Sequence, residues 1–497
     1  MLNLISGIGL LVMVGLAFAM SSNRRAIDWR LVVFGVIPQF VFAAVFFNSQ
    51  SWRFDRSFAN LADLAEAVES EQLTLSSVRS ALEARGDSTE QVDAILSSLS
   101  EAPQGTINLA EAQLPVSVPR FPNGVVFYGI ESFFDLIQRS VDAGSGFVFA
   151  ANPKPDDVPR THPKAILTTF AFGVLPTVIF FAALMSVLYY LGVMQRLVRV
   201  MAWVMQKTLR TSAAESLAAA ANVLVGHTEA PLVVKPYIAT MTRSELNALM
   251  VGGFATISGS LMAIFAGLGV SAGHLLTASI ISAPAALVIA KILQPETETP
   301  TDLAVAEAKM ENSACNVIEA AANGATEGMK LAINIAAMLI AFLALIMFID
   351  ICLQNVFGLF GMNVSLSMIF GYAFAPLAWI MGISSNDCLI AGELLGKKLV
   401  VNEFLAYIEL SATPSEATAS AAEAAGAISD RTRTILTYAL CGFSNFGAIG
   451  IQLGGIGPLA PERKGDLAQL GLRAMFGGAI AASMTACIAG LFYGLIG

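Results

Sequence analysis

Charge is scarce in this chain. Only 13% of its 497 residues are Asp, Glu, Lys or Arg, against 56% apolar, and the mean hydropathy is +0.69. That balance excludes an ordinary soluble protein and is the composition of a polytopic membrane protein. Alternating patterns are missing as well. The apolar segments are continuous, which excludes a β-barrel in favour of helices of roughly 20 residues that each cross a ~30 Å hydrocarbon core. The five cysteines (Cys315, Cys352, Cys388, Cys441, Cys487) show no CxxC spacing, so they read as small apolar fillers and not as a redox or metal device. His162, His227 and His274 lie far apart with no metal-ligand spacing. No HExxH or nucleophile motif is present either, and an intramembrane enzyme would be left with Glu229 and His227 as its acid–base pair. The N-terminus lacks a basic n-region. Its first apolar run is uncharged and Arg24, Arg25 and Arg30 follow it, so Ala17-Phe-Ala19 is a poor signal-peptidase site. A retained helix with its N-terminus outside fits the cytoplasmic preference of Lys and Arg.

What the chain has is a set of apolar segments with polar residues in unexpected places. Spans are expected at about 3–20, 32–48, 166–194, 246–269, 275–294, 331–349, 434–460 and 475–496. Asn222-Val-Leu-Val-Gly-His-Thr-Glu-Ala-Pro231 interrupts another apolar stretch with an amide, an imidazole, a hydroxyl and a carboxylate. Such a break at membrane depth is tolerated only where it is buried in protein or lines an aqueous cavity, and an ionisable residue there points to function. Arg196–Arg210 precede this stretch, and Lys235 and Arg243 follow it. Basic residues on both flanks fit a re-entrant hairpin that enters and leaves on one side. A polar loop is expected over 295–327. The apolar run 357–383, with Gly361, Gly371 and Pro376 as breaks, leads into a second hairpin over 384–403. The fold class expected is therefore all-α and polytopic, with about eight transmembrane helices and two re-entrant hairpins.

Residues 51–120 differ from the rest: eleven acidic side chains against five basic ones, with short amphipathic runs. Leu73–Arg85 reads as a helix ending at Gly86, and Ser88-Thr-Glu-Gln91 has the form of a capping box. A soluble, acidic, helical insert on the outer face is expected, followed by an interfacial helix within 123–150. The chain thus divides into two N-terminal helices (1–50), the insert (51–120), an interfacial helix and third span (121–195), a first repeat (196–295), a loop and scaffold span (296–356) and a second repeat (357–497). The N- and C-termini lie on the outer side with the insert.

The two repeats echo one another. Each hairpin precedes an apolar segment with polar residues inside it, Thr256-Ile-Ser-Gly-Ser260 and Gly442-Phe-Ser-Asn-Phe-Gly447, and a further span closes each half. One hairpin opens inward and the other outward, so the repeats are inverted. Paired interruptions in corresponding positions mark a transporter's substrate site. Glu229 and Glu403, with amides and hydroxyls and no fixed Arg or Lys at either break, suit a neutral, hydroxyl-rich substrate.

These residues resemble the concentrative nucleoside transporters. The resemblance covers nearly the whole chain outside 51–120. It is carried by Phe172-Gly-Val-Leu-Pro-Thr-Val-Ile-Phe-Phe181, Ser186-Val-Leu-Tyr-Tyr-Leu-Gly-Val-Met194, Ala219-Ala-Ala-Asn222, Gly226-His-Thr-Glu-Ala-Pro-Leu232, Val401-Asn-Glu-Phe404 and Ala439-Leu-Cys-Gly-Phe-Ser-Asn445. It implies a homotrimer in the inner membrane that imports nucleosides with Na⁺ or H⁺ by an elevator-like motion, with no other cofactor and no nucleic-acid partner. It also implies an Na⁺ site at Asn222, Val225, Thr256 and Ile257. His227, Thr228 and Leu261 match the nucleobase side, and Glu229, Glu403, Phe443 and Asn445 the ribose side. Two positions depart from the family. His227 replaces the usual Gln and Ala448 an expected Ser, which opens the alternatives of proton coupling, purine restriction or another hydroxylated heterocycle.

Overall fold

The computed structural model describes residues 2–47, 55–58, 116–119, 175–224, 230–300, 314–359, 364–414 and 426–493, with isolated positions between. It divides into two compact units, one of residues 1–44 and 133–495 and one of 45–132 with the last two residues.

In the smaller unit the described residues form an antiparallel ribbon, β1 (Asp55–Phe58) and β2 (Val116–Pro119), with Asp55 opposite Pro119 and Phe58 opposite Val116. The two ends of the insert are therefore paired as strands, a feature an all-α reading omits. Val116-Ser-Val is β-branched and alternating, as a short strand requires. The helix expected at 73–85, the capping box at Ser88 and most of 123–150 lie outside the described residues.

In the larger unit α1 (Leu2–Ala19) carries no charge, and α2 (Trp29–Phe47) has Pro38 inside it. After α3 (Leu175–Tyr190), Gly192 at φ +74° turns the chain by 77° into α4 (Val193–Leu209). This second helix buries Met194, Val198, Ala202, Met205 and Leu209 at helical spacing and exposes Arg196 and Arg199 on the other side. The first hairpin follows as α5 (Ala213–Leu224), α6 (Ala230–Val233) and α7 (Lys235–Ile238). The span expected at 246–269 is two half-helices, α8 (Arg243–Ala255) and α9 (Gly259–Gly267), and α10 (Ala272–Leu293) closes the repeat.

The same order then recurs. A long helix, α11 (Val317–Gly358), gives way to α12 (Leu366–Ile380) and to the second hairpin, α13 (Cys388–Val400) and α14 (Glu403–Ala412). The broken span is α15 (Asp430–Leu440) and α16 (Phe446–Ile456), and α17 (Lys464–Phe492) ends the unit. Among the described residues α1, α2, α10 and α17 are each long and apolar enough to cross a membrane. At 1.5 Å per residue the 22 residues of α10 cover about 33 Å.

Three expectations change. The polar loop read over 295–327 is helical from Val317, because Asn316 caps α11 by accepting from the Glu319 N–H at 2.8 Å. Gly324 and Gly328 then lay α11 on α3, where a Cβ would stand 2.6 Å from the Ala182 carbonyl oxygen and 2.7 Å from the Ile179 Cα. Secondly, Gly371 and Pro376 do not break a helix but lie inside continuous α12. The polar segment 384–387 is the connection from α12 into α13, and the second hairpin turns at Val401–Asn402 instead. Thirdly, that hairpin runs on to Ala412, past the expected end at 403.

The helix ends are tied by polar groups, as they must be where backbone N–H and C=O lose intrahelical partners. Thr242 and Glu245 form a capping box at α8, and Glu245 also accepts from Ser212 at the start of α5. In the second repeat Asp387 does the matching work, accepting from Ser429 at 2.8 Å and Thr432 at 2.6 Å at the start of α15. Each hairpin is thus fastened at its base to the broken span that follows it. Lys291, nearly buried in α10, bridges Glu215 at 2.7 Å and Glu296 at 3.2 Å.

Candidate functional site

The two broken spans meet at their breaks. Thr256 leaves α8 in extended conformation, and the Ser258 side chain starts α9 by accepting from the Leu261 N–H. On the other span Asn445, also extended, starts α16 by accepting from the Ala448 N–H at 2.9 Å. Gly442 has φ +108°, and a Cβ there would stand 2.6 Å from the Phe254 carbonyl oxygen. Only glycine permits both that backbone and that approach. Ser444 completes the junction by donating to the same carbonyl at 2.8 Å.

Each hairpin tip then reaches a break. Gly226, at φ +90°, lies against Ser258, with a hypothetical Cβ 2.6 Å from the serine Cβ. At the second tip Asn402 caps α14 by accepting from the Leu405 N–H at 2.9 Å. Beside it Glu403 accepts from the Asn445 side chain at 3.0 Å, and both groups are buried. The family resemblance put Glu403 and Asn445 in one group, and the fold brings the two side chains into contact. Phe443 stands between Gly442 and this pair, partly exposed, its carbonyl accepting from the Asn445 N–H at 2.9 Å. Ala448 is buried against the cap that Asn445 makes. Leu261 is buried on α9, one turn before Phe265, whose ring stacks on Tyr407 at 4.1 Å and faces Phe404 at 5.6 Å. The face of α9 that carries Leu261 therefore packs on the helix that begins with Glu403.

The first hairpin contributes Asn222, 1% exposed, whose side chain lies on Gly252 of α8. Neither amide atom has a hydrogen-bond partner among the described residues. Thr256, fully buried, donates to the Gly252 carbonyl at 2.9 Å, which leaves its hydroxyl lone pairs free to accept. Ile257 is buried next to it. An unsatisfied buried polar group costs about 1–3 kcal/mol. A donor set of amide oxygen, hydroxyl and unwound carbonyls at a helix end suits a hard monovalent cation. Val225, His227, Thr228 and Glu229 lie outside the described residues.

One residue at the breaks was not expected. Lys398 of α13 donates to the carbonyls of Ala439 at 2.7 Å and Cys441 at 3.2 Å, both at the end of α15. The reading that no basic residue is fixed at either break is corrected here. The signal available was an ionisable residue in an apolar hairpin. Its partners are about 40 positions away, and only the fold supplies them.

The family follows from comparison. Residues 274–490 match the family described as Na⁺ dependent nucleoside transporter C-terminus, 8–69 match its N-terminus and 171–272 match a nucleoside recognition Gate. A Haemophilus influenzae protein called an uncharacterized transporter is 47% identical over 354 residues, covering 71% of this chain and 82% of its own length. The chain belongs to the Na⁺-dependent nucleoside transporter family. Sodium/nucleoside cotransporter 1 of Sus scrofa is 40% identical to this transporter over 75% of the chain and 57% of its own length. Among solved structures, CNTnw in an inward-facing substrate-bound state superposes with a TM-score of 0.76 at 34% identity, covering 100% of this chain and 99% of its own. A variant of CNTnw in an outward-facing state gives 0.78. The resemblance read from the hairpin motifs is therefore correct, and with such relatives the transporter is not an enzyme.

Proposed function

We propose that this transporter imports nucleosides across the inner membrane by symport with Na⁺, the insert and both termini facing outward. The observation that carries the substrate reading is the buried Glu403–Asn445 pair, set between the second hairpin tip and the second break. A carboxylate with lone pairs to spare accepts hydrogen bonds from ribose hydroxyls, and the amide can both donate and accept. Leu261 offers apolar surface to a base, and Phe443 stands with the ribose-side group. His227, Thr228 and Glu229 complete the site from the first hairpin in this reading.

Na⁺ would be held by Asn222 and Thr256 side chains with the main-chain oxygens of Val225 and Ile257. The cation supplies positive charge that ties the first hairpin to the first break. The Asn222 amide, without a hydrogen-bond partner among the described residues, supports this assignment. Alternating access by an elevator-like motion of the hairpin-bearing repeats is supported by the inward-facing, outward-facing and intermediate states of CNTnw. A homotrimer is proposed from the family resemblance.

A second reading rests on His227 and Ala448, where the ligand set departs from the expected Gln and Ser. Competition against labelled uridine by purine nucleosides, pyrimidine nucleosides and free bases tests the substrate class. Nucleosides of either base type should compete at micromolar concentrations, and free bases should not. Competition by free bases equal to that by nucleosides would remove the ribose role of Glu403.

A further inference from the structure

The two repeats treat their broken spans alike, except at one place. Asn222 is two residues before the end of α5, the first helix of the first hairpin, and lies on the half-helix α8 close to its end. Lys398 is two residues before the end of α13, the first helix of the second hairpin, and reaches the end of the half-helix α15. The residue that follows α8 is Thr256, and the residue that follows α15 is Cys441, whose carbonyl Lys398 engages. Asn222 and Lys398 therefore hold equivalent positions in the inverted repeats. At the first, an amide with no hydrogen-bond partner among the described residues faces a helix end. At the second, the ammonium of a lysine 4% exposed sits at one.

The end of a helix is a cation site by construction. Its last carbonyls have no intrahelical donors, and the aligned peptide dipoles leave about half a negative charge there. An ammonium with three donors is a point charge that can satisfy such carbonyls from one position. Lys398 spends donors on two carbonyls at the end of α15, and it is within electrostatic reach of Glu403. We infer that the Lys398 ammonium is a tethered cation filling, in the second repeat, the position that a free cation takes in the first. Two helix ends are thereby neutralised, one by a residue and one by the coupling ion. The pseudosymmetric site cannot take a second coupling ion while the lysine is there. This inference rests on the Na⁺ reading of Asn222, and it adds a limit of one coupling cation per cycle.

Equilibrium binding of ²²Na⁺ to the purified full-length transporter in detergent, with and without uridine, tests the idea in wild type, Lys398→Asn and Lys398→Met. The Asn variant places an amide where Asn222 has one, and the Met variant vacates the carbonyls with an apolar chain. Wild type should bind one Na⁺ per chain, and Lys398→Asn two. In liposomes the Hill coefficient for Na⁺ in uridine uptake should move from about one to about two in Lys398→Asn, since it is bounded by the number of sites. For Lys398→Met, methylammonium or raised Na⁺ should restore a melting temperature lowered by the substitution. One Na⁺ in both wild type and Lys398→Asn would overturn the inference while leaving the Asn222 site intact. No Na⁺ in wild type would overturn both. A Lys398→Met protein whose stability responds to no cation would also contradict the inference.

Discussion

Glu403 and Asn445 are joined by a hydrogen bond of 3.0 Å that spans 42 residues of sequence and links the second hairpin tip to the break between α15 and α16. The first residue of α14 and the cap that precedes α16 thus meet through their side chains, away from solvent. A carboxylate in that setting is costly to bury, and its retention calls for a partner that repays the cost. Glu403→Gln keeps the shape and removes the charge. A charge-assisted hydrogen bond contributes about 1.5–3 kcal/mol, so the half-saturating uridine concentration should rise about 10- to 100-fold with membrane abundance unchanged. Transport kinetics alongside quantitative immunoblots of the membrane fraction would check this.

Asn222 gives a prediction whose sign differs between stability and function. Its amide is buried, and neither polar atom has a hydrogen-bond partner among the described residues. Asn222→Leu removes them while keeping the branched shape, so in Na⁺-free detergent the variant should be more stable by about 1–3 kcal/mol, the cost of an unsatisfied buried group. Na⁺ stimulation of uptake should fall in the same variant. Melting curves with and without Na⁺ would show a raised baseline and a lost Na⁺ shift. A variant less stable than wild type without Na⁺ would count against the assignment.

The first of these groups was legible in the sequence and the second repeat less so. Asn222 through Pro231 crowds polar residues into an apolar run, so the interruption shows in hydropathy alone. The motif Val401-Asn-Glu-Phe404 was readable only through the family resemblance, since the polar residues that stood out from the apolar run were at 384–387. Lys398 was not, because a lysine near a helix end commonly snorkels to an interface. Only the return of α15 past α13 shows that its head is held by backbone carbonyls. The ribbon at the base of the insert was missed because four-residue strands are too short for alternation to stand out. The start of α11 was missed because hydropathy registers where a helix enters lipid and not where Asn316 caps it.

Gly442 is the tightest point of the junction. Its φ of +108° and the 2.6 Å approach of a hypothetical Cβ to the Phe254 carbonyl oxygen leave no room for a side chain. Gly442→Ala combines backbone strain of about 1–3 kcal/mol with a steric clash, and should reduce the folded protein recovered in size-exclusion profiles. Gly454→Ala, whose Cβ would meet nothing within 4 Å, is the control and should behave as wild type.

Lys291 and Glu215 form a buried pair at the base of the first hairpin, 2.7 Å apart. Breaking such a pair from one side leaves an uncompensated charge and costs about 3–5 kcal/mol, whereas replacing both partners with apolar residues of similar volume is often near neutral. Lys291→Met should therefore lower the melting temperature sharply. The double variant Glu215→Leu/Lys291→Met should recover most of the loss, as thermal unfolding in detergent would show.

The central claim is that a cation gradient drives nucleoside uptake through the site between the two hairpin tips. Liposomes holding the purified transporter, given tritiated uridine with an inward Na⁺ gradient and then without it, test this most directly. Uridine should accumulate above its external concentration only with the gradient, and at uridine near the wild-type half-saturating concentration Glu403→Gln should accumulate it far more slowly. Uptake that ignores Na⁺ and follows an imposed pH gradient, or that is unchanged in Glu403→Gln at that uridine concentration, would contradict the account.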